Sequence, residues 1–304
     1  MLDCLIIGGG PAGLTAALYL ARFGLTVRII DAGGGRASMI PCTRNQSLFP
    51  EGLSGPEMLD RMMQSLSPYG VTVERGRAAT LKRSSDGFEV EVPGGVVAAR
   101  AVLLATGVRD RRPPMMGALH DQALAKGLIR YCPICDGHEV RSRDVGVIAT
   151  GEHGAREALF LRSYTERVTL MAPEGAHELS DEHRAHLVRD QIKIVDGPIT
   201  RYEICGDMLR VTCGGGQLEL DAVYPALGLD AGSALAASLG AELADDGCIK
   251  VDEHQRTNVP GLYAAGDVVM GLDQIARALS DAAIATTAIR NDLCKAGHAG
   301  LFSL

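Results

Sequence analysis

A glycine-rich turn near the start of the chain constrains the fold more than any other feature. It lies between an apolar strand and a helical stretch, and it consists of Gly8-Gly9-Gly10-Pro11-Ala12-Gly13. In such a G-x-G-x-x-G turn Gly8 permits the tight turn, Gly10 lets the backbone approach a diphosphate, and Gly13 lets the helix pack closely on the strand. Asp31, 21 residues after Gly10, ends the next strand and suits a ribose hydroxyl pair. The spacing predicts a bound dinucleotide.

The same strand–turn–helix–strand unit occurs a second time, from Val145 to Met171. This alternation is typical of an α/β protein with largely parallel sheets. Stretches 109–114 and 225–230 have the composition of connectors. We therefore expect two Rossmann-like units, the second inserted in the first, with residues 1–112 plus 227–304 in one domain and 113–226 in the other. Residues 71–73, 88–92 and a strand after Gly95 are expected to form an antiparallel meander.

Composition narrows the classes of function. The chain has 304 residues, 30 Lys and Arg against 37 Asp and Glu, and a formal charge of -7, so we expect no nucleic-acid partner. Its longest apolar runs are interrupted well before bilayer length, which predicts neither a signal peptide nor a membrane span. Eight cysteines are scattered with a single close pair, which favours a reducing cytoplasm over a secreted disulfide framework.

That close pair, Cys132 and Cys135, is followed directly by Asp136. A C-x-x-C pair beside a helix start favours a thiolate and suits thiol–disulfide exchange. Asp136 can manage the proton that exchange requires if burial raises its pKa. One alternative is a zinc site with His138 as a third ligand, although no second C-x-x-C stands at zinc spacing. The other is a pair of structural cysteines without chemistry.

Two further stretches bear on the first nucleotide site: residues 104–107, Leu-Ala-Thr-Gly, and residues 261–267, Gly-Leu-Tyr-Ala-Ala-Gly-Asp. They resemble the ATG and GD motifs of the two-dinucleotide-binding flavoproteins. The resemblance implies that the dinucleotide is FAD, that Asp267 contacts its ribitol and phosphate, and that the following helix points at the pyrimidine side of the flavin. The FAD-binding residues that it implies beyond the first turn are Ala105, Thr106, Gly107, Gly266, Asp267, Gln274 and Ile275.

The cysteine stretch resembles the C-x-x-C-D-G element of the low-molecular-weight thioredoxin reductases, and the resemblance extends over almost the whole chain. It implies that Cys135 faces the flavin, that Cys132 attacks the disulfide of thioredoxin or a thioredoxin-like protein, and that Asp136 is the acid. It also implies a homodimer.

The chain departs from that family where NADPH should bind. The second glycine fingerprint is 149–154, Ala-Thr-Gly-Glu-His-Gly, which lacks the first glycine and places the carboxylate of Glu152 on a diphosphate loop. At the position equivalent to Asp31 stands Ala172, followed by Pro173 and Glu174, so no basic cluster meets a 2′-phosphate. We expect a degenerate site and doubt NADPH use. An atypical NADPH site remains the alternative, because Arg156, Arg162 and Arg167 lie nearby.

Without NADPH, the flavin needs another partner. Relatives of the family take electrons from ferredoxin or act as dithiol oxidases with dioxygen, and the latter replace Asp136 by histidine. A ferredoxin could dock on a basic patch formed by Arg109, Arg111, Arg112, Arg130, Arg141 and Arg143, although a solvated connector explains these arginines as well. A non-catalytic redox sensor is a further alternative. Phe302 in the C-terminal tail could stack on the flavin, or the tail is simply a frayed terminus.

Overall fold

A computed structural model describes residues 1–298, so Phe302 lies outside the described residues. The chain folds into two compact units. The first contains residues 1–38, 55–109 and the described residues from 230 onward, and the second contains residues 39–54 and 110–229. The predicted division placed 39–54 in the first domain. These residues instead pack with the second unit, where Arg44 lies 3.7 Å from Glu139.

The strands of the first unit are β1 (Leu2–Ile7), β2 (Val27–Asp31), β3 (Val73–Arg75), β4 (Thr80–Ser84), β5 (Gly87–Val92), β6 (Gly95–Leu104) and β16 (Leu262–Ala264). They form one sheet in the order β3-β2-β1-β6-β5-β4, with β16 also paired to β6. β1 lies parallel to both neighbours, as Ile6 stands opposite Ile29 and Leu103. The short strands β7 (Val108–Asp110) and β15 (Leu229–Ala231) belong to the connectors.

The predicted meander is wrong in one strand. β5 and β6, which correspond to the predicted run 88–92 and the strand after Gly95, are antiparallel as expected, and β4 is antiparallel to β5. The run at 71–73, however, leads into β3, which pairs in parallel with β2 at the sheet edge. The antiparallel partner of β5 is β4, whose sequence Thr-Leu-Lys-Arg-Ser buries a single apolar residue and therefore gave little sign of a strand.

The helices of the first unit are α1 (Pro11–Arg22), α2 (Gly55–Gln64), α7 (Ala234–Ala237) and α8 (Ile275–Lys295). Pro11 at the first helical position suits the start of α1, because its missing N–H would have no intrahelical partner there. Leu14, Ala17 and Leu20 share the buried face of α1 and join α8 residues in one apolar cluster. α1 therefore holds its N-terminus at the carboxyl edge of β1.

The second unit repeats the scheme on a smaller scale. Its parallel sheet has the order β10-β9-β8-β14, built from β8 (Val145–Ile148), β9 (Val168–Met171), β10 (Lys193–Val195) and β14 (Ala222–Pro225). A three-stranded antiparallel sheet consists of β11 (Ile199–Cys205), β12 (Met208–Cys213) and β13 (Gly216–Leu220). The helices are α3 (Gly117–Ala125), α4 (Pro133–Asp136), α5 (Gly151–Leu161) and α6 (Asp181–Arg189). Among residues 1–298, no helix is long and apolar enough to cross a membrane.

Replacing Gly13 by alanine is expected to lower the free energy of unfolding of the FAD-free protein by about 2 kcal/mol, as overpacking does. The new Cβ would lie 1.9 Å from the carbonyl oxygen of Gly8, so α1 and β1 would have to separate. Gly10→Ala is the matched control, because no heavy atom lies within 4 Å of its Cβ position. Urea unfolding followed by circular dichroism measures both, and equal midpoints for Gly13→Ala and the wild type would contradict the expected clash.

Candidate active site and cofactor cradle

The predicted glycine turn packs against the end of β6. Gly8 has φ +114°, and a Cβ there would lie 2.1 Å from the carbonyl oxygen of Ala105. Only glycine fits that conformation and that approach. Gly10 caps α1 with no atom within 4 Å of its Cβ position, so the space in front of the helix N-terminus is open.

The GD turn contacts the same helix. Gly266 has φ +80°, and a Cβ on it would lie 2.9 Å from the Cβ of Ala12. Thr106 donates its hydroxyl hydrogen to the Gly232 carbonyl at 2.7 Å, which anchors the ATG stretch. The three motifs that the sequence predicted for FAD therefore converge on the N-terminus of α1.

Asp31 lies at the mouth of the turn. Its carboxylate accepts hydrogen bonds from the backbone N–H of Gly9 at 3.0 Å and of Gly33 at 3.1 Å. Arg75 approaches the same carboxylate at 3.2 Å from a largely exposed position. These bonds orient the carboxylate beside the glycine turn, as the ribose of a dinucleotide would require.

Arg36 is a residue of this cradle that the sequence analysis missed. Its guanidinium lies 2.9 Å from the carboxylate of Asp273 and 3.5 Å from that of Asp267. Asp273 directly precedes Gln274, which caps α8, and Ile275 is the first helical residue. A single arginine after three glycines was the signal available in the sequence. Its charge offsets two carboxylates that stand where an anionic cofactor is expected.

These features fit FAD. The open space at Gly10, the backbone N–H groups at the start of α1 and the Arg36 guanidinium suit a diphosphate, while Asp31 suits a ribose. Asp281, buried on α8, accepts a hydrogen bond from the backbone of Gly266 at 3.3 Å and holds the GD turn in place. Burial raises the pKa of this carboxyl, with Arg277 opposing the effect.

The redox pair lies at the start of α4. Cys132 caps the helix, Pro133 is its first residue, and Cys132 and Cys135 are joined in a disulfide. Both cysteines are half-buried, and Ile134 between them is 52% exposed. α4 comprises only four residues, so its dipole favours a thiolate less than that of a longer helix would.

Asp136, predicted as the acid, is held by two side-chain partners. Arg130 donates to one carboxylate oxygen at 2.8 Å, and the hydroxyl of Tyr224 donates to the other at 2.8 Å. Burial raises the pKa of Asp136, and the charge of Glu139 adds to the rise, while Arg130 and Tyr224 oppose it. The net shift is upward, so burial outweighs both partners. Tyr224, on β14, was not foreseen, and Arg130 was expected in a surface patch.

The zinc alternative finds no support in the part of the chain that the structure describes, where no group of three His, Cys, Asp or Glu side chains is placed to hold a metal ion. His138 is exposed on the turn after α4.

The second glycine turn is organised differently from the first. Thr150 caps α5, and its hydroxyl accepts a hydrogen bond from the backbone N–H of Glu178 at 3.0 Å. His177 is 7% exposed, and its Nε2 lies 2.9 Å from the carbonyl oxygen of Val195 at the end of β10. Residues 173–178, here called the strap, thus bind to the turn and to the carboxyl ends of the strands. Ala172, which precedes the strap, is fully buried.

The three arginines that could have replaced a basic cluster have other partners. Arg156 lies 3.3 Å from Glu152 on the same helix. Arg162 donates to the carbonyl oxygen of Asp190 at 2.7 Å, and Arg167 donates to Asp144 at 3.0 Å.

The chain matches the pyridine nucleotide-disulphide oxidoreductase family over residues 2–282. It belongs to this family. Among members with known sequences, it is 31% identical to thioredoxin reductase of Listeria monocytogenes, over 93% of this chain and 91% of that protein. It is 30% identical to thioredoxin reductase of Treponema pallidum, over 94% of this chain and 95% of that protein.

A solved member of the family has the same fold. The crystal structure of thioredoxin reductase from Streptococcus pyogenes superimposes with a TM-score of 0.88 at 27% identity, over 97% of this chain and 99% of that chain. The predicted α/β class with Rossmann-like units is confirmed. The chain is a thioredoxin reductase-like FAD flavoprotein, an oxidoreductase of the kind that acts on sulfur groups. Proteins of this kind depend on FAD and usually use NADPH.

Gly10→Ala is expected to weaken FAD binding by about tenfold, which corresponds to about 1.4 kcal/mol. The added methyl group would project into the open space in front of α1 without disturbing the protein itself. The measurement is titration of FAD-free protein with FAD, followed by flavin fluorescence. Gly117→Ala is the control, since Gly117 also begins a helix and also has no atom within 4 Å of its Cβ position. Equal FAD affinities for the two variants would contradict the assignment of the cradle.

Tyr224→Phe is expected to change the pH–rate profile of disulfide reduction. The alkaline limb, where the rate falls as pH rises, should move to higher pH by about one unit, because one charge-assisted hydrogen bond is lost. Reduction of the pair requires protonated Asp136, so the rate should fall as pH rises through the raised pKa of that carboxyl. Removing the Tyr224 hydroxyl destabilises the ionised form and raises this pKa further. Asp136→Asn should abolish the limb.

Tyr202→Phe is the control for this pH profile. The Tyr202 hydroxyl is buried in the same unit and has no hydrogen-bond partner among residues 1–298. Its removal should leave the limb unchanged. A limb that stays in place in Tyr224→Phe would show that this hydroxyl does not act on Asp136.

Proposed function

We propose that this protein is an FAD-dependent disulfide oxidoreductase that passes electrons between the flavin and the Cys132–Cys135 pair, and on to a protein disulfide, without NADPH. The observation that carries the proposal is the half-buried Asp136 carboxyl directly after the disulfide, bonded to Arg130 and Tyr224 and with its pKa raised above the usual range. Such a carboxyl retains its proton to higher pH than an ordinary aspartic acid does, which suits a proton donor.

When bound and in its two-electron-reduced state, the flavin would supply the electron pair that opens the disulfide. Opening it leaves two sulfur atoms with negative charge, one of which needs a proton. In this proposal protonated Asp136 donates that proton, and its resulting charge is stabilised by Arg130 and by the Tyr224 hydroxyl. Cys132 then attacks the partner disulfide, and Cys135 resolves the mixed disulfide. The exposed Ile134 gives the partner an apolar contact between the two cysteines.

Two features of the second unit disfavour NADPH binding: the space at the strand ends is filled, and the nearby charges are negative. A dinucleotide in such a sheet lies at the carboxyl ends of the strands and at the helix N-terminus. Here the strap, bound through Thr150 and His177, occupies that edge. Glu152 and Glu178 present carboxylates where phosphates would lie, and both side chains are exposed. A 2′-phosphate would also lack guanidinium partners, since Arg162 and Arg167 bond elsewhere.

The partner is proposed to be thioredoxin or a thioredoxin-like protein, as the names of the relatives suggest. Asp136 supports a reductase over a dithiol oxidase. Ferredoxin remains a candidate electron donor, although Arg130 and Arg112 bond to Asp136 and Asp121 and contribute less to a basic patch than expected. A homodimer, which the family resemblance implies, and a cytoplasmic location, which the scattered cysteines favour, are part of the proposal.

Cys132→Ser and Cys135→Ser are each expected to abolish reduction of thioredoxin disulfide by the chemically reduced holoprotein, because each removes a sulfur atom that the exchange requires. Thiol release is measured after anaerobic mixing. Cys205→Ser is the control, since Cys205 is another half-buried cysteine of the same unit but is not disulfide-bonded. Reduction at the wild-type rate by either variant of the pair would refute the proposed function.

A further inference from the structure

A glycine-rich segment of the first unit connects two sides of the cofactor cradle. Residues 32–36, here called the rim segment, have the sequence Ala-Gly-Gly-Gly-Arg and follow Asp31 at the end of β2. The segment begins beside the glycine turn, where Asp31 accepts a hydrogen bond from the backbone N–H of Gly9 at 3.0 Å. It ends at the GD turn, where Arg36 lies 3.5 Å from Asp267. The rim segment therefore borders the N-terminus of α1, where the FAD diphosphate is expected.

The middle of the rim segment has few contacts of its own. Gly33 and Gly34 have φ +79° and +69°, a region that glycine enters far more readily than other residues. Ala32, Gly34 and Gly35 are exposed. Among the described residues, no heavy atom beyond the chain neighbours lies within 4 Å of the Cβ positions of Gly34 and Gly35. The position of the segment thus depends on the contacts at its two ends.

The loop on the other side of the cradle, residues 266–273, is held by α8. Arg277 on this helix donates to the backbone carbonyl oxygen of Met270 at 3.0 Å. The Asp281 carboxylate lies 3.4 Å from Arg277 and accepts a hydrogen bond from the backbone N–H of Gly266 at 3.3 Å. The loop therefore offers a fixed partner to a flexible segment.

Arg36 joins the rim segment to this loop. Its Nη1 atom donates to the Asp273 carboxylate at 2.9 Å, which is closer than the 3.5 Å to Asp267. The side chains of Arg36 and Asp273 are 22% and 23% exposed, so water and salt screen this pair less than a pair on the open surface. A guanidinium carries five N–H groups, so Arg36 can keep this bond and still face an anionic cofactor.

We propose that Arg36 and Asp273 form a latch that holds the rim segment against the GD loop and thereby slows the release of FAD. Release requires the rim segment to move, and that movement requires the bond between the two side chains to break. Both are positioning residues, because they act on the rate at which the cofactor leaves. The latch is independent of the electron donor and of the cysteine pair, so it stands or falls separately from the proposed function.

The test is the rate at which the holoprotein releases FAD. Protein loaded with radiolabelled FAD is mixed with an excess of unlabelled FAD, and the label that stays bound is counted over time. Arg36→Met removes the donor and Asp273→Ala removes the acceptor, so each should release FAD about tenfold faster, as expected for the loss of one charge-assisted hydrogen bond. The double variant should release FAD no faster than either single variant, because both side chains act through one bond.

Asp273→Ala distinguishes a latch from direct attraction of the cofactor. If Arg36 acted only by attracting the diphosphate, removal of its carboxylate partner would strengthen that attraction, and release would be slower or unchanged. Either result would overturn the proposal. Arg28→Met is the matched control, because it breaks the ion pair of Arg28 with Glu74 near the start of β2, away from the cradle. It should release FAD at the wild-type rate, and equal acceleration in this control would also overturn the proposal.

A milder substitution keeps the test informative if Asp273→Ala does not fold, which circular dichroism of the FAD-free protein would show. Asp273→Asn preserves the size of the side chain and replaces a charged acceptor by a neutral one, which makes a weaker hydrogen bond. Its release rate should lie above that of the wild type and below that of Asp273→Ala. A rate at or below that of the wild type would contradict the latch.

Discussion

The first unit depends on the close approach of the glycine turn, the start of α1 and the segment after β6, where the backbones leave no room for side chains. The Cβ positions of Gly13 and Gly8 lie 1.9 and 2.1 Å from carbonyl oxygens of Gly8 and Ala105. This contact presses α1 against β1 and β6 and leaves its N-terminus open beside Gly10. The Gly266 turn and Asp31 then add to the same edge. A site for a dinucleotide follows from the packing before any ligand is considered.

The second unit builds a similar scaffold around a different turn. Its third fingerprint glycine is also tightly packed, because a Cβ on Gly154 would lie 2.8 Å from the Cβ of Ala149. The helix N-terminus, however, is tied to the strap through Thr150. The loop before the first strand of this unit carries the disulfide, and β14 supplies the tyrosine that holds Asp136. The unit thus has the architecture of a nucleotide domain, and the proposed function assigns its chemistry to the cysteine pair.

Local sequence patterns predicted the helices and strands that depend mainly on interactions between residues close in the sequence. The predicted helix from Pro11 to Phe23 is observed as Pro11–Arg22, and the strand Val168–Met171 is observed as predicted. The partners of Asp136 and of Asp267 could not be predicted in this way. Tyr224 is 88 residues from Asp136, and Arg36 is 231 residues from Asp267. Such pairs depend on how distant strands are ordered in a sheet, which periodicity and spacing do not encode. For the same reason β3 was assigned the wrong neighbour, because a short apolar run does not specify a parallel or an antiparallel partner.

The central claim is that electrons reach the cysteine pair through the flavin without a nicotinamide. The most direct test is anaerobic mixing of the FAD-loaded protein with NADPH while the flavin absorbance is followed, with an excess of a small dithiol as the comparison. The account predicts that the dithiol bleaches the flavin by way of Cys132 and Cys135 and that NADPH leaves it oxidised. Prompt bleaching by NADPH would contradict the account.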